Sequence, residues 1–388
     1  MAQTQRNHID IVTLLSVVTL MVLSLGVVYS ASSSWAVLKG AESERMLMMH
    51  ALKVLAAFAC LFGAMHIDYH RYRRYTKSVL LGAVALLGIT LIMGAAVKGA
   101  TRWLSLGGFG FQPSELAKVA LLFHLCVLMA DRKERIQDFK TGFLPMMVWV
   151  GLVTTLVMVQ PNFSTGALLF GISLVVMFVG RVRIAHIGLV IGALVPLLVV
   201  FMLAAEYRMR RLLAYFGGGD GGSTQGSYQL TQGLIGFGSG GVFGLGPGNS
   251  RQRELFLPQS YDDFIFPVIG EEYGLIGTLF VMLVFLVVML RGMRIARHAP
   301  DELGRLLATG ITLMITLLAL VNAAVTLGIL PTTGQPMPFV SYGGSSMLFS
   351  AFAVGVLLNI SSQTDLHPRL LPLGRRARPA EPAVGKVY

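Results

Sequence analysis

The sequence predicts an all-α integral membrane protein with ten transmembrane helices. Of its 388 residues, 54% are hydrophobic and only 13% are charged, and the mean hydropathy is +0.69. Soluble domains carry about 25% charged residues, so the composition excludes a soluble fold. Apolar stretches that approach the roughly 20 residues needed to cross a bilayer lie near 10–31, 46–66, 78–98, 114–130, 143–160, 164–180, 185–205, 264–290, 304–330 and 346–361.

The basic residues predict which side of the membrane each loop occupies. An even number of spans puts both ends of the chain on one side. With both ends in the cytoplasm, roughly 20 of the 31 Lys and Arg fall in inner loops or the tail and about nine fall outside, as the positive-inside rule requires. The net charge of +12 therefore reflects membrane topology and does not predict a nucleic-acid partner. We expect one polytopic membrane domain over residues 1–362 and a basic, disordered cytoplasmic tail over 363–388.

Three predicted outer segments are rich in glycine, proline and aromatic residues. They are residues 98–115, the large extracytoplasmic loop of about 206–262 between spans seven and eight, and residues 330–346. This composition favours irregular backbone that lines a cavity. The stretch 217–227 within the long loop is glycine-rich but lacks the GxxxxGK[ST] pattern of a nucleotide-binding loop, so a flexible or re-entrant loop is expected.

Acidic residues cluster where the eighth span begins. Asp262 and Asp263 directly precede it, and Asp263 is the first candidate for a general base because a carboxylate at the mouth of a span can still meet water and a lipid headgroup. Asp263 would also suit the N-cap of the span, and the two roles are compatible. Glu271 and Glu272 lie roughly 12–14 Å deeper along a helix, too far to pair with Asp263. We expect them to be structural, bonded to Asn322 or another polar group of a neighbouring span.

Several cations are candidates for binding an anionic headgroup. Lys118 follows Glu115 by three residues, which predicts an ion pair on one helix face; that pair either fixes helix packing or directs a cation towards the headgroup. The arginines after span seven either reach lipid phosphate or hold a substrate diphosphate. Lys53, near the outer end of span two, is expected to reach the interface in the same way. The remaining candidates are Arg102, Arg208, Arg210, Arg211, Arg251 and Arg253.

Four blocks of this sequence, in their order along the chain, resemble the SEDS proteins (shape, elongation, division and sporulation), a family that includes FtsW and RodA. The blocks are TRWLSLGGFGFQPSELAK (101–118), QPNFSTG (160–166), the long block 228–277 that contains DDFIF and GEE, and LPTTGQPMPFVSYGGSS (330–346). The stretch GNSRQRELFLP is more similar to the FtsW branch than to the RodA branch. The resemblance covers essentially the whole chain and agrees with the ten-span topology.

The resemblance implies a peptidoglycan glycosyltransferase that polymerises lipid II at the outer face of the bacterial cytoplasmic membrane. The family's catalytic aspartate, which precedes FIF or FVF, corresponds to Asp263. Its QPSExxK block corresponds to 112–118, including Glu115 and Lys118, and its arginine before tryptophan to Arg102. Ser341 and Tyr342 of SYGGSS, with Glu115, Glu271 and Glu272, would support the site. This chain departs from the family at Asp262, a candidate second acid where HTDF is usual, and at Asn162, which replaces an acid.

The implied reaction is an inverting glycosyl transfer. The GlcNAc 4-hydroxyl of one lipid attacks C1 of the MurNAc of another and displaces undecaprenyl diphosphate, while Asp263 takes the hydroxyl proton. Arg102, Lys118 and Arg208 or Arg210 would neutralise the departing diphosphate. No cofactor is identified; a divalent cation, Mg²⁺ or Mn²⁺, is a further candidate for that role, although the sequence contains no ligand cluster for one.

The expected partners are lipid II, membrane lipids, a class B penicillin-binding protein that acts as transpeptidase, and other division proteins, with location at the division septum. Three alternatives stay open at this point. The chain could be a lipid II flippase whose acidic residues line a translocation path, a RodA-type polymerase of cell elongation, or an inactive scaffold that recruits the transpeptidase.

Overall fold

The fold is known from a computed structural model, which describes residues 8–38, 43–93, 95–97, 100–106, 109–160, 162–203, 225–252, 257 and 260–366. This part of the chain is mainly helical. Its α-helices are α1 (Ile11–Leu38), α2 (Ser43–His66), α3 (Tyr69–Met93), α4 (Pro113–Asp131), α5 (Leu144–Val159), α6 (Phe163–Val179), α7 (Ile184–Leu203), α8 (Gln225–Gly240), α9 (Ile265–Arg297), α10 (Glu302–Thr326) and α11 (Gly344–Ser361). A π-helical turn, Phe139–Phe143, leads into α5. The predicted tail lies almost wholly outside the described residues.

Helices occupy all ten predicted apolar stretches, and eight of them are long and apolar enough to cross a membrane. The two others are α6 and the Ile184–Leu194 part of α7, which are shorter apolar helices. Among the eight, α4, α10 and α11 are the most buried, so they form the centre of the bundle. Close approach of α11 to α2 depends on Gly355, where a Cβ would lie 2.4 Å from the carbonyl oxygen of Leu61.

Contacts between helix ends show that α2, α4, α6, α9 and α11 all begin at one end of the bundle, whereas α8 lies beside the start of α9 and runs in the same direction. We call this the Asp263 end, and the opposite end the Asp10 end. Polar contacts join the helices at the Asp10 end: Arg291 pairs with Asp10, and the Tyr69 hydroxyl donates to Asp301 at 2.6 Å. The Asn359 amide also donates to the carbonyl of Met65 at 2.9 Å.

The first predicted outer segment, residues 98–115, is partly a β-sheet, so the expectation of irregular backbone there is wrong. Strands β1 (Ala95–Val97), β2 (Ala100–Leu106) and β3 (Phe109–Phe111) form a three-stranded antiparallel sheet in that order. Pairing satisfies the backbone amides and carbonyls without help from a helix.

The long connection before α9 also contains regular structure. Residues 225–240, predicted as loop, form α8, although 217–224 lie outside the described residues. Three glycines let α8 pack tightly against α9, and a Cβ at Gly240 would lie 2.0 Å from the carbonyl oxygen of Gly270. Packing therefore outweighs the low helix propensity of a glycine-rich segment.

Helix α9 is broken at Gly274, where φ is 65° and ψ is −160°, a conformation that is essentially restricted to glycine. The break frees main-chain groups, which pair with the segment that follows α8. The four bonds, donor first, are Leu245 to Glu271 (2.9 Å), Gly246 to Glu272 (3.0 Å), Leu275 to Gly241 (2.9 Å) and Ile276 to Val242 (3.3 Å). The predicted continuous span is therefore two helical pieces joined to a loop that restores their hydrogen bonds.

Candidate active site

Asp263 lies in the turn that leads into α9 and is partly exposed. Phe264 occupies the N-cap position of α9 and supplies no side-chain cap, so Asp263 lies one residue outside the helix and its expected role as the N-cap residue is wrong. Asp262 is also partly exposed. The start of α9 thus brings two carboxylates to the Asp263 end, where the amino ends of five helices favour negative charge.

The main chain at Asp263 is held by a buried amide of α10. The Asn322 amide nitrogen donates to the carbonyl of Asp263 at 2.8 Å and to the carbonyl of Gln335 at 2.7 Å. Gln335 in turn donates from its side chain to the Thr165 hydroxyl at 2.6 Å, and that hydroxyl donates to Asn162, also at 2.6 Å. One chain of polar contacts therefore joins the Asp263 turn to the loop before α11 and to α6.

The carboxylate of Asp263 lies against Gly334 in the loop before α11. Gly334 has a φ of +64°, and a Cβ on it would lie 3.3 Å from Asp263 Oδ2. Both the left-handed backbone and the close contact favour glycine at this position. The third predicted outer segment, residues 330–346, is irregular backbone as far as Gly343, as expected, and Gly334 brings it against Asp263.

Two tyrosines couple this loop to the Asp263 turn from the other side. The Tyr342 main-chain amide donates to the carbonyl of Tyr261 at 2.9 Å, and their rings meet edge to face with centroids 5.7 Å apart. Burial raises the pKa of Tyr261 to about 12, and the charges of Asp262, Tyr342 and Asp263 act in the same direction. Tyr261 therefore keeps its proton at neutral pH. Ser341 accepts from the Met337 amide at 2.8 Å and shapes the loop internally.

The predicted ion pair in α4 is confirmed. Lys118 Nζ lies 3.0 Å from Glu115 Oε1, and both side chains are 5% exposed. The amide of Gln112, just before α4, donates to the Ser345 hydroxyl at 3.1 Å, which ties α4 to α11. Lys118 therefore lies at the Asp263 end with its charge compensated by a neighbour, and its contact with a diphosphate stays a prediction.

Glu271 and Glu272 make structural contacts, as expected, and of the two kinds of partner expected, a polar group of another span is observed at Glu272. The Asn322 amide nitrogen instead binds main-chain carbonyls. Glu271 accepts from the Ser250 and Ser239 hydroxyls at 2.5 and 3.2 Å and from the amides at 251 and 252, both at 3.2 Å. Glu272 accepts from Ser30 of α1. The two carboxylates fasten α9 to the loop after α8 and to α1.

Most of the predicted diphosphate-binding cations cannot be related to this geometry. Arg102 belongs to β2, but its side chain lies outside the described part, and Arg251 is exposed on the loop after α8. Over the described residues, no three histidine, cysteine or acidic side chains come together as metal ligands. The predicted residues Arg208, Arg210, Arg211 and Arg253 lie outside the described residues.

Lys53 of α2 approaches the same loop. Its ammonium lies 3.6 Å from the centroid of the Tyr342 ring, and its side chain is half-buried. The contact with Tyr342 was not expected from the sequence, and the expected reach of Lys53 to the membrane interface stays a prediction.

Comparisons with known proteins agree with this fold. The model of a family described as "Cell cycle protein", which joins FtsW, RodA and SpoVE, matches residues 11–366. A protein of Geobacter metallireducens named "Probable peptidoglycan glycosyltransferase FtsW" is 38% identical over 362 residues, which cover 92% of this chain and 96% of the relative. Stage V sporulation protein E of Bacillus subtilis is 37% identical over 90% of this chain and 96% of its own length.

Two solved structures have a similar fold. A chain from a peptidoglycan synthase complex superposes with a TM-score of 0.76 and 23% identity, over 91% of this chain and 97% of that one. The rod shape determining protein RodA of Thermus thermophilus superposes with a TM-score of 0.68 and 22% identity, over 92% of this chain and 98% of RodA.

Proposed function

We propose that this chain, which belongs to the FtsW/RodA/SpoVE family of cell cycle proteins, is a peptidoglycan glycosyltransferase that joins lipid II units into glycan strands. The relatives that carry this name match nearly the full length of both chains. One structural observation supports the proposal most directly: Asp263 stands at the mouth of a span, with its main chain held by Asn322 and its carboxylate against Gly334.

Asp263 acts as the general base. Its carboxylate takes the proton of the GlcNAc 4-hydroxyl as the hydroxyl oxygen forms a bond to C1 of the donor MurNAc. The bond from C1 to the diphosphate oxygen breaks on the opposite face, so the configuration at C1 inverts and undecaprenyl diphosphate leaves with its electron pair. Arg102, Lys118, Arg208 and Arg210 stabilise that negative charge, together with a divalent cation, Mg²⁺ or Mn²⁺, if one is bound.

The Asp263 end faces the outside of the bacterial cytoplasmic membrane, and ten spans leave both chain ends in the cytoplasm. Support comes from the cations at the Asp10 end. Residues 70–77, at the start of α3, and 291–297, at the end of α9, are both rich in arginine, as cytoplasmic segments are. A lipid-linked sugar in the outer leaflet would then meet the site at the membrane surface.

The chain acts in septal synthesis with a class B penicillin-binding protein as its transpeptidase. The FtsW names of several relatives support the division role, and a fold neighbour from a peptidoglycan synthase complex supports the partner. Elongation remains the second candidate, since RodA has the same fold. Depletion separates them, because loss of septation produces filaments whereas loss of elongation produces spheres.

The polymerase is favoured over the flippase by the way the membrane-embedded acids are bonded. Glu115 pairs with Lys118, and Glu271 accepts one hydrogen bond from α8 and three from the loop that follows it. A translocation path needs polar groups that are free to exchange partners with a passing headgroup. Acids committed to fixed local partners suit a rigid framework around a stationary site.

The deciding experiment reconstitutes the purified chain with lipid II, with and without its cognate transpeptidase, and measures glycan strands. Asp263→Asn is expected to abolish polymerisation. Asp138→Asn is the matched control because Asp138 is exposed and its hydrogen bonds are local, among them those from the Thr141 amide and hydroxyl. Polymerisation by Asp263→Asn would disprove the general base, and a wild type that moves lipid II across vesicles without making polymer would establish the flippase.

A further inference from the structure

Lys53 is a cation in the interior of an apolar helix. Its ammonium lies over the ring of Tyr342, 3.6 Å from the centroid, and its side chain is half-buried. Over the described part of the chain, no carboxylate pairs with it. Ionisable residues in membrane spans are costly and usually mark a functional site or a partner. Lys118 differs in this respect, because Glu115 already neutralises it.

The contacts of Lys53 connect it to the candidate active site. Tyr342 is bonded to the main chain of Tyr261, the residue next to the paired aspartates. A Cβ at Gly344 would lie 3.3 Å from the Lys53 side chain, so the start of α11 also borders it. The lysine therefore adjoins the loop whose other side, at Gly334, contacts Asp263.

His50 lies one turn before Lys53 on the same face of α2. Its ring is fully buried, with a centroid 5.4 Å from that of Tyr342, and its Nε2 lies 3.0 Å from the Ser24 hydroxyl. Among the described residues, its Nδ1 has no hydrogen-bond partner. Because the Ser24 hydroxyl donates to the Met21 carbonyl at 2.6 Å, it accepts from His50 Nε2, which leaves Nδ1 as an acceptor. His50 therefore adds a polar atom beside Tyr342 that can accept from a water or a hydroxyl, while Lys53 supplies the positive charge.

We propose that Lys53, held over the ring of Tyr342, binds the phosphate group of a membrane lipid at the Asp263 end. The site rests on the proposed function in one respect: the lipid expected there is a polyprenyl diphosphate, the leaving group of the transfer. An anionic phospholipid has the same phosphate chemistry. Since no carboxylate among the described residues pairs with Lys53, a phosphate can approach its ammonium without first displacing one of their acidic side chains.

The test measures lipid binding and needs no turnover. The full-length chain is placed in phosphatidylcholine nanodiscs, and binding of undecaprenyl diphosphate, undecaprenol and phosphatidylglycerol is measured by native mass spectrometry. The variants are Lys53→Met, which keeps the length of the side chain and suits a membrane span, Lys53→Arg, which keeps the charge, and Lys77→Met, which removes an exposed lysine from α3.

Lys53→Met is expected to weaken undecaprenyl diphosphate binding about tenfold, equivalent to about 1.4 kcal/mol, and to leave undecaprenol binding unchanged. Lys53→Arg should restore most of the affinity, and Lys77→Met should bind as wild type does. If Lys53→Met weakens binding of phosphatidylglycerol as well as undecaprenyl diphosphate, or of phosphatidylglycerol alone, the phosphate site is supported and the phospholipid is identified as a source of its ligand. Unchanged binding of both phosphate lipids, or an equal loss for undecaprenol, overturns the proposal.

Failure of this site and failure of the proposed function give different results. A wild type that binds undecaprenyl diphosphate through Lys53 but makes no polymer with its transpeptidase would reject the polymerase and leave the site standing. In an active enzyme, Lys53→Met should lower the lipid II polymerisation rate and be rescued by arginine. If Lys53 only packs against Tyr342, Lys53→Met would instead lower thermal stability and leave lipid affinity unchanged.

Discussion

The side-chain amide of Asn322 donates to the main-chain carbonyl of Asp263 at 2.8 Å. The same nitrogen donates to the carbonyl of Gln335 at 2.7 Å. A single buried side chain of α10 therefore sets the distance between the turn that carries the candidate base and the loop that walls the site. Because the bonds are to main-chain atoms, they fix the backbone at Asp263 without engaging its carboxylate.

Asn322→Leu should reduce polymerisation by at least tenfold while the protein still folds. The substitution keeps the size of the side chain but removes the donor for two carbonyls, and a lost hydrogen bond of a buried group costs about 1–3 kcal/mol. The turn and the loop would then move apart. Initial rates of glycan synthesis and a thermal melt of the detergent-solubilised protein measure the two effects.

Asn359→Leu is the matched control for that experiment. Asn359 is a buried asparagine that also binds main-chain atoms, donating to the Met65 carbonyl at 2.9 Å and accepting from the Tyr69 amide at 3.0 Å. It lies at the Asp10 end. A similar loss of stability with retained polymerisation is expected, and equal loss of activity in the two variants would show that Asn322 has no special role.

Gly334→Ala should impair catalysis more than stability. The added methyl group would meet Asp263 Oδ2 at 3.3 Å, and alanine is strained at a φ of +64°. Polymerisation should fall about tenfold, since small displacements of catalytic groups reduce rates strongly. The rate is compared with that of Gly328→Ala, where φ is +75° and the nearest side-chain atom is 3.6 Å away. Similar rates for the two variants would show that backbone strain alone causes the loss of polymerisation.

The spans and the acidic site could be predicted from the sequence because each depends on local information. Hydropathy locates apolar helices directly, and the spacing of Glu115 and Lys118 is enough to predict their ion pair. The contacts of Asn322 with Asp263 and of Lys53 with Tyr342 could not be predicted, because in each pair the two residues are at least 59 positions apart in the chain. Asn322 was one of two kinds of partner expected for the glutamates, and only the folded bundle shows that it binds main-chain carbonyls.

Regular structure in the predicted outer segments was missed for a related reason. The glycines of α8 argue against a helix when their propensity alone is considered, yet Gly240 permits contact with Gly270 of α9. Similarly, the φ of Gly274 that breaks α9 is compensated by hydrogen bonds from the segment 241–246, which lies about 30 residues earlier. Neither contact leaves a periodic signal in the sequence.

Breaking the Glu115–Lys118 pair should separate its structural role from a role in binding diphosphate. Loss of one partner leaves a buried charge uncompensated, and we expect Glu115→Gln or Lys118→Met to cost about 3–5 kcal/mol. The double variant removes both charges and should regain much of that stability. Lys118 binds diphosphate if the stable double variant still polymerises poorly; recovery of activity with stability would make the pair purely structural.

Gly274→Ala should prevent correct folding of the region that precedes the break in α9. Alanine cannot adopt a φ of 65° with a ψ of −160° without strain, and its Cβ would lie 2.4 Å from the Val242 carbonyl oxygen. The four main-chain bonds between α9 and the segment after α8 would be lost together, and Glu271 would lose its contacts with Ser250 and Ser239. Membrane yield and protease resistance measure the loss of correct folding.

Gly238→Ala is the control, because a Cβ there meets nothing within 4 Å and alanine favours the helix. If Gly274→Ala accumulates and resists protease as the control does, α9 tolerates a continuous helix at this point.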